Sequence, residues 1–419
     1  MQPRFYGWYN LAGVMLVPLI AGGAYYYSYG VFLPVMCDDL GWSRAVVSVG
    51  LSVSLLTMGL PGPLYGILVA KFGSKINLVL GNTVTALALG GMFFVKEPWH
   101  VYVLYGIIGF ASGVGGFVAC LTIVNNWFIK KRSLAMGIFS TGSGIGGFLM
   151  PPFVTLLTLS VGWRVSWLVL AGLILVLVVF TASLLIIKNK PEDIQQEPDS
   201  LPYASKRFGK SVIPPEEIPE PKEWRIRQVI RFPTTWFIIA FMAANYFALG
   251  AVVCHQVAHV EDLGFSPAVA SMTLSLVSVF NIVGCLAFGL AAIKVNIRRL
   301  AIVGMLIQII ALVIQLNAKT ILSVFCYSSF LGFSLGILIS LMPTIVGEYY
   351  GRAHFAQILG TTMPILYLVQ AISMMLAGYI FDTTSSYFLA VVLSIALSIV
   401  SLVCAFLFKK PNNVLIRAL

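Results

Sequence analysis

DDLGWSRAVVSVGLS (38–52) and EDLGFSPAVASMTLS (261–275) stand 223 residues apart, and their likeness decides the architecture. Asp39, Leu40, Gly41, Ser43, Ala45, Val46, Ser48, Leu51 and Ser52 all meet identical residues in the second copy. The same offset puts Gly66 on Gly289, Gly109 on Gly332, Gly113 on Gly336 and Gly137 on Gly360. Compositional bias gives isolated matches, but not one register shared by several separated segments. The chain therefore reads as two related halves, the arrangement from which many membrane carriers are built.

Composition says what the halves are made of. Of 419 residues, 59% are hydrophobic and 10% charged, and the mean hydropathy is +0.94. Soluble domains carry about a quarter charged residues, and a soluble core of this length could not hide so much apolar surface. A bilayer can, and a helix needs roughly 20 mostly apolar residues to cross it. Twelve such stretches occur, near 7–37, 43–70, 76–95, 99–126, 133–158, 164–187, 233–259, 267–292, 299–317, 320–346, 355–380 and 386–408. Between the sixth and seventh lies a proline-rich, charged stretch, 189–231. The expected fold is an all-α membrane protein with twelve transmembrane helices in two pseudo-symmetric six-helix bundles. The bundles are 1–188 and 232–419, joined by a flexible cytoplasmic linker over 189–231.

With the N-terminus inside, 22 of the 26 Lys and Arg residues fall in cytoplasmic segments, as the positive-inside rule requires. The formal charge of +11 thus reflects topology, not a nucleic-acid partner. A multi-pass inner-membrane location with both termini cytoplasmic is expected. Cys37, Cys120, Cys254, Cys285, Cys326 and Cys404 form no CxxC and sit mostly in apolar runs, so they read as reduced packing residues. No metal, cofactor or catalytic residue is expected, because no HExxH, nucleophile–base pattern or deep carboxylate pair occurs. GSGIGG (142–147) is no nucleotide loop: no strand precedes it, and its glycines suit close helix contact.

Ionisable groups in the membrane are costly and usually functional. Acidic residues fall in loops, the linker or span ends, and His255 is the exception within a span, with His259 one turn further out. An unperturbed imidazole changes charge near pH 6.5. His255 is therefore a candidate for proton coupling or anion binding, and equally for a neutral hydrogen bond between helices.

The chain resembles the major facilitator superfamily, and within it the branch of bacterial oxalate/formate antiporters and monocarboxylate transporters. The resemblance rests on RFYGWYNL (4–11), GVFLPVMCDDLGWSRA (30–45), NNWFIKKRSLAMGI (125–138), GSGIGGFLMPP (142–152), GWR (162–164), HQVAHVEDLGFS (255–266) and GYIFDTTSSY (378–387). It implies two bundles around a central cavity, with helices one, four, seven and ten lining it. Two departures stand out. The motif G-x-L-x-D-R-x-G becomes Gly66-Ile67-Leu68-Val69-Ala70-Lys71-Phe72-Gly73, with Ala70 at the acidic position. The eighth-helix arginine of the branch falls on Cys285, and the acid four residues earlier falls on Asn281.

On that frame the candidate substrate-binding residues are Tyr25 and Tyr29, four apart and so on one α-helical face, with Thr122, Asn245, Tyr246, Asn281, Cys285, Tyr327, Tyr367 and Gln370. Hydrogen bonding between helices is the alternative role for each. The resemblance implies a secondary transporter of a small organic anion, above all a monocarboxylate, with proton coupling or exchange. Its partners would be that small molecule, protons and the lipid bilayer, with the chain acting as a monomer. The alternative is the same fold carrying a neutral or zwitterionic solute, or acting in efflux, because no cation stands at Cys285.

Overall fold

The computed structural model describes residues 5–199 and 226–407, and among these every long element is a helix. In chain order they are α1 (Gly7–Leu40), α2 (Arg44–Gly59 continuing as Gly62–Phe72), α3 (Ser74–Phe94) and α4 (Pro98–Trp127). The helical run Arg132–Ile186 is too long for one crossing: at 1.5 Å per residue it would span roughly 80 Å. Gly162, at φ 79° and ψ 160°, breaks it, giving α5 (132–161) and α6 (163–186). Then follow α7 (Pro233–Asp262), α8 (Pro267–Ala291), α9 (Ile297–Leu316), α10 (Ile321–Tyr350), α11 (Phe355–Thr384) and α12 (Phe388–Leu407). The twelve expected spans are therefore all present as helices.

The repeat is visible in the backbone. Ser43 and its image Ser266 both cap the following helix, accepting from Val46 and Val269 N–H. Such caps satisfy amide donors that a helix start leaves free. Gly41 and Gly264 both take positive φ before those caps, at 68° and 88°. Gly162 and Ser385 do so between the fifth and sixth helix of each half, at 79° and 52°. The starts of α4 and α10, Pro98 and Ile321, also stand in the same register.

Side chains sort as a bilayer demands. Leu159, Leu322 and Met375 are 81%, 73% and 76% exposed; in water such a surface would be a costly patch, while lipid accepts it. Polar side chains turn inward instead. Asn245 donates to Gln308 Oε1 at 2.9 Å, and Gln308 donates to Ser398 at 3.1 Å, tying α7, α9 and α12 together.

Several helices depart from regular geometry, among them α1, α2 and α4. Val17–Tyr27 winds as a wider π-type turn with Pro18 at its start. α2 bends by 53° at Leu60–Pro61. α4 is interrupted at Gly116, whose φ and ψ are −113° and −124°.

Of the stretch expected as a flexible linker, 200–225 lies outside the described residues, as does the tail from 408. Residues 188–199 are pinned to the first half. Asn10 exchanges two hydrogen bonds with the Lys188 backbone, at 3.0 and 2.9 Å. Asp199 accepts from the N–H groups of Ile129, Lys130 and Lys131 at 2.6, 2.8 and 2.7 Å. Ile226–Arg231 forms a short helix before α7.

The halves meet tightly at the ends nearest this linker. A Cβ on Gly66 of α2 would come within 2.6 Å of the Ala356 carbonyl of α11. A Cβ on Gly137 of α5 would come equally close to the Cys285 carbonyl of α8, at 2.6 Å. Only glycine lets these backbones approach so far. Arg132 of α5 adds a hydrogen bond to the Gly347 carbonyl of α10.

Candidate central cavity

Above this closed end lies a cavity of about 220 Å³, walled by both halves. Tyr25, Tyr26 and Tyr27 of α1 form its aromatic floor with Tyr65 of α2, and Tyr246 of α7 faces Tyr367 of α11 with ring centroids 6.0 Å apart. Ser112, Ser140, Ser143, Asn82 and Gln370 add hydroxyl and amide groups. No Asp, Glu, Lys, Arg or His stands among the lining residues. Of the residues expected from the sequence, Tyr25, Tyr246, Tyr367 and Gln370 come together here. All four helices expected to line the cavity do contribute, and α2, α3, α5 and α11 join them.

The other candidates lie elsewhere. Tyr29 is buried and donates to the Val47 carbonyl of α2. The π-type turn ending at Tyr27 is the physical reason: wider turns rotate the following helix, so the four-residue spacing of Tyr25 and Tyr29 no longer means one face. Thr122 donates to the Val118 carbonyl within α4 at 2.7 Å. Asn245 is held by Gln308. Asn281 and Cys285 lie in the α5–α8 seam, where Cys285 Sγ is 3.8 Å from Asn281 Oδ1. Tyr327 is fully buried in the second half, its hydroxyl unpartnered among the described residues. His255 also lies outside the central cavity. The Met374 carbonyl, 2.9 Å from its Nε2, can only accept, so Nε2 carries the proton. Nδ1 then accepts from the Tyr387 hydroxyl at 3.2 Å. Both nitrogens of a neutral imidazole are thereby engaged.

Sequence reasoning missed Tyr26, Tyr27 and the serines. One signal was available: Gly115-Gly116 inside an apolar run marks a helix break. At that break, Gly116, Phe117 and Val118 line the cavity, and the helix starting at Phe117 has no side-chain cap. Its first amide donors lack partners within the helix and carry the positive end of the helix dipole. Among the described residues no three His, Cys, Asp or Glu side chains converge as a metal cage.

Twelve helices in two repeated bundles, closed by glycines at one end around an uncharged cavity between the halves, are the build of a membrane transporter. A profile of the Major Facilitator Superfamily matches residues 14–313, and the chain belongs to that superfamily. It is 25% identical to Monocarboxylate transporter 12 of Homo sapiens over 408 residues, covering 91% of this chain and 76% of that protein. It is 24% identical to Monocarboxylate transporter 13 of Bos taurus, covering 86% and 79%. Against Monocarboxylate transporter 12-B of Danio rerio the identity is 27%, covering 79% and 72%. All three relatives bear the name monocarboxylate transporter.

Proposed function

We propose that this protein carries a small monocarboxylate across the cell inner membrane together with a proton, or in exchange for another such acid. The observation that carries the reading is a largely apolar cavity, edged by tyrosines and serines, with no charged side chain in its lining. A bare carboxylate moved into such a site costs several kcal/mol unless it is paired or hydrogen-bonded. A proton travelling with the carboxylate removes most of that cost. Tyr246, Tyr367 and the open helix start at Phe117 would supply hydrogen bonds for its oxygens. The names of the relatives, all monocarboxylate transporters, support the same substrate class.

The basic residues favour a cytoplasmic linker and cytoplasmic termini. In that orientation the closed end faces the cytoplasm. A single chain holds both halves, so a monomer suffices for transport.

A second reading keeps the fold and changes the cargo to a neutral or zwitterionic solute. The neutral cavity lining favours it, as does the seam position of Cys285. Proteoliposome uptake separates the two. Uptake of a lactate-sized acid is expected to rise with an inward proton gradient. Indifference to the gradient, together with carriage of a neutral compound, would establish the second reading instead.

A further inference from the structure

The two halves differ where α1 and α7 meet their own bundles. The repeat register pairs Phe32 with His255, Met36 with His259, Met92 with Gln315, Tyr105 with Ser328 and Trp167 with Ala390. In the first half these residues form a dry plug. Trp167 stacks on Phe32 with centroids 3.7 Å apart, Tyr105 meets it edge-on at 6.3 Å, and Met36 and Met92 are fully buried beside them. In the second half the filler has become Ala390, and the surrounding aromatic and thioether groups have become polar.

The outcome is a separate cavity of about 20 Å³, lined by His255, Gln256, His259, Gln315, Tyr387 and Ser394, with Ala390 in its wall. That volume suits one water molecule. Gln256 Nε2 donates to Ser328 Oγ at 3.1 Å, and the serine's own proton goes to the Val324 carbonyl. This fixes the amide, so Gln256 Oε1 is left as an acceptor. Gln256 Oε1, Gln315 Oε1 and His259 Nε2 are all buried without a partner among the described residues. Leaving such atoms unsatisfied is costly, and apolar residues fill the same place in the first half. A space that has replaced a hydrophobic plug with two acceptor oxygens and an imidazole fits a ligand that donates.

We propose that this pocket is a proton-binding site, in which one water bridges His259 to the two glutamine oxygens and the proton is shared between imidazole and water. Protonated His259 donates from Nε2 to the water, and the water donates its two O–H groups to Gln256 and Gln315. Every orphaned atom is then satisfied. The titratable groups around it are His255 and Asp262 on α7, Tyr387 at the start of α12 and Tyr327 on α10. Gln315 from α9 and Ala377 from α11 complete the wall without charge. Tyr387, bonded to His255 Nδ1, links the second imidazole to the same space.

The inference rests on the proton-coupled reading, and two measurements keep the failures apart. Histidine-ring NMR on the purified full-length protein, with no substrate, should show the His259 ring resonances shifting as acid is added. In the double variant His259→Met with Gln315→Met, which copies Met36 and Met92, that signal disappears. The variant should still bind the acid in the central cavity, while stimulation of uptake by the proton gradient falls roughly fivefold or more, the low end of a typical coupling between sites. His259→Gln, which keeps hydrogen bonding but cannot titrate, should give the same loss and covers the case in which the double variant fails to fold. Full gradient stimulation in either variant, or no titration at His259, overturns the proposal. If the wild type moves no acid at all, the transport reading falls, and the NMR titration alone decides the pocket.

Discussion

Gly360 on α11 lies against Gly66 on α2, and this pair is the repeat image of Gly137 on α5 against Gly289 on α8. A Cβ on Gly360 would stand 3.2 Å from the Gly66 nitrogen, and one on Gly137 would stand 2.9 Å from the Gly289 Cα. The offset that relates the sequence halves exchanges the two contacts. The closed end of the transporter is thus a pair of symmetric backbone seams, and rocking of the halves must part both.

Gly360→Val is expected to wedge the first seam. Overpacking a tight contact costs about 1–3 kcal/mol, all of it charged to the closed state. Transport should fall about tenfold while binding in the central cavity persists. Spin labels on the linker-side ends of α2 and α11 should move apart. An unchanged distance with unchanged transport would show that the seam tolerates a side chain.

Tyr367→Phe removes a hydroxyl from the cavity wall, and Tyr25→Phe removes one together with its weak bond to Met58 Sδ at 3.8 Å. One hydrogen bond is worth about 0.5–1.5 kcal/mol, so substrate Kd should rise roughly 2- to 12-fold. Tyr29→Phe is the control. Its hydroxyl serves the Val47 carbonyl, so that variant should lower Tm and leave Kd alone. Direct binding by calorimetry reads all three.

Arg132 ties α5 to α10 through the Gly347 carbonyl. Arg132→Ala removes this bond across the halves and shifts the balance toward opening at the linker side. Cys285, fully buried in the neighbouring seam, reports the opening. With the other cysteines replaced by serine, maleimide should label it several-fold faster in Arg132→Ala. Equal labelling rates would leave Arg132 with a role inside the first half alone. The nearby Arg352–Glu192 pair, at 3.4 Å and part-exposed, should matter little, as surface pairs contribute about 0–1 kcal/mol.

Asp199→Asn tests the linker's anchor. The carboxylate accepts three backbone N–H bonds from 129–131, and the amide can replace only part of that geometry. Protease should cut the linker faster, and Tm should fall by a few degrees, consistent with a loss of about 1 kcal/mol. Identical proteolysis would show that Asn10, through its two bonds to the Lys188 backbone, holds the segment without it.

The twelve spans were legible because hydrophobicity over some twenty residues is a local property that tertiary packing does not alter. The repeat was legible because Gly41, Ser43, Gly66 and Gly137 recur where backbone geometry demands them, and their images Gly264, Ser266, Gly289 and Gly360 do the same work. The cavity was legible only in part. Tyr246, Tyr367 and Gln370 follow from helix order, whereas the Tyr25–Tyr29 spacing misled because a wide turn ends between them. Asn281 and Cys285 share a face as expected, but that face packs into the α5–α8 seam.

By itself the sequence determined that this chain spans a membrane twelve times in two copies of one design, since composition and register suffice for that. Only the tertiary structure decided which polar groups share a space. Cavity membership depends on how each helix is rotated about its axis, and π-type turns, the Gly116 break and glycine seams set those rotations. The pocket around His259 is the clearest case: Gln256, Gln315 and Ala390 lie far apart along the chain, and only packing reveals that a tryptophan's place has been left to them.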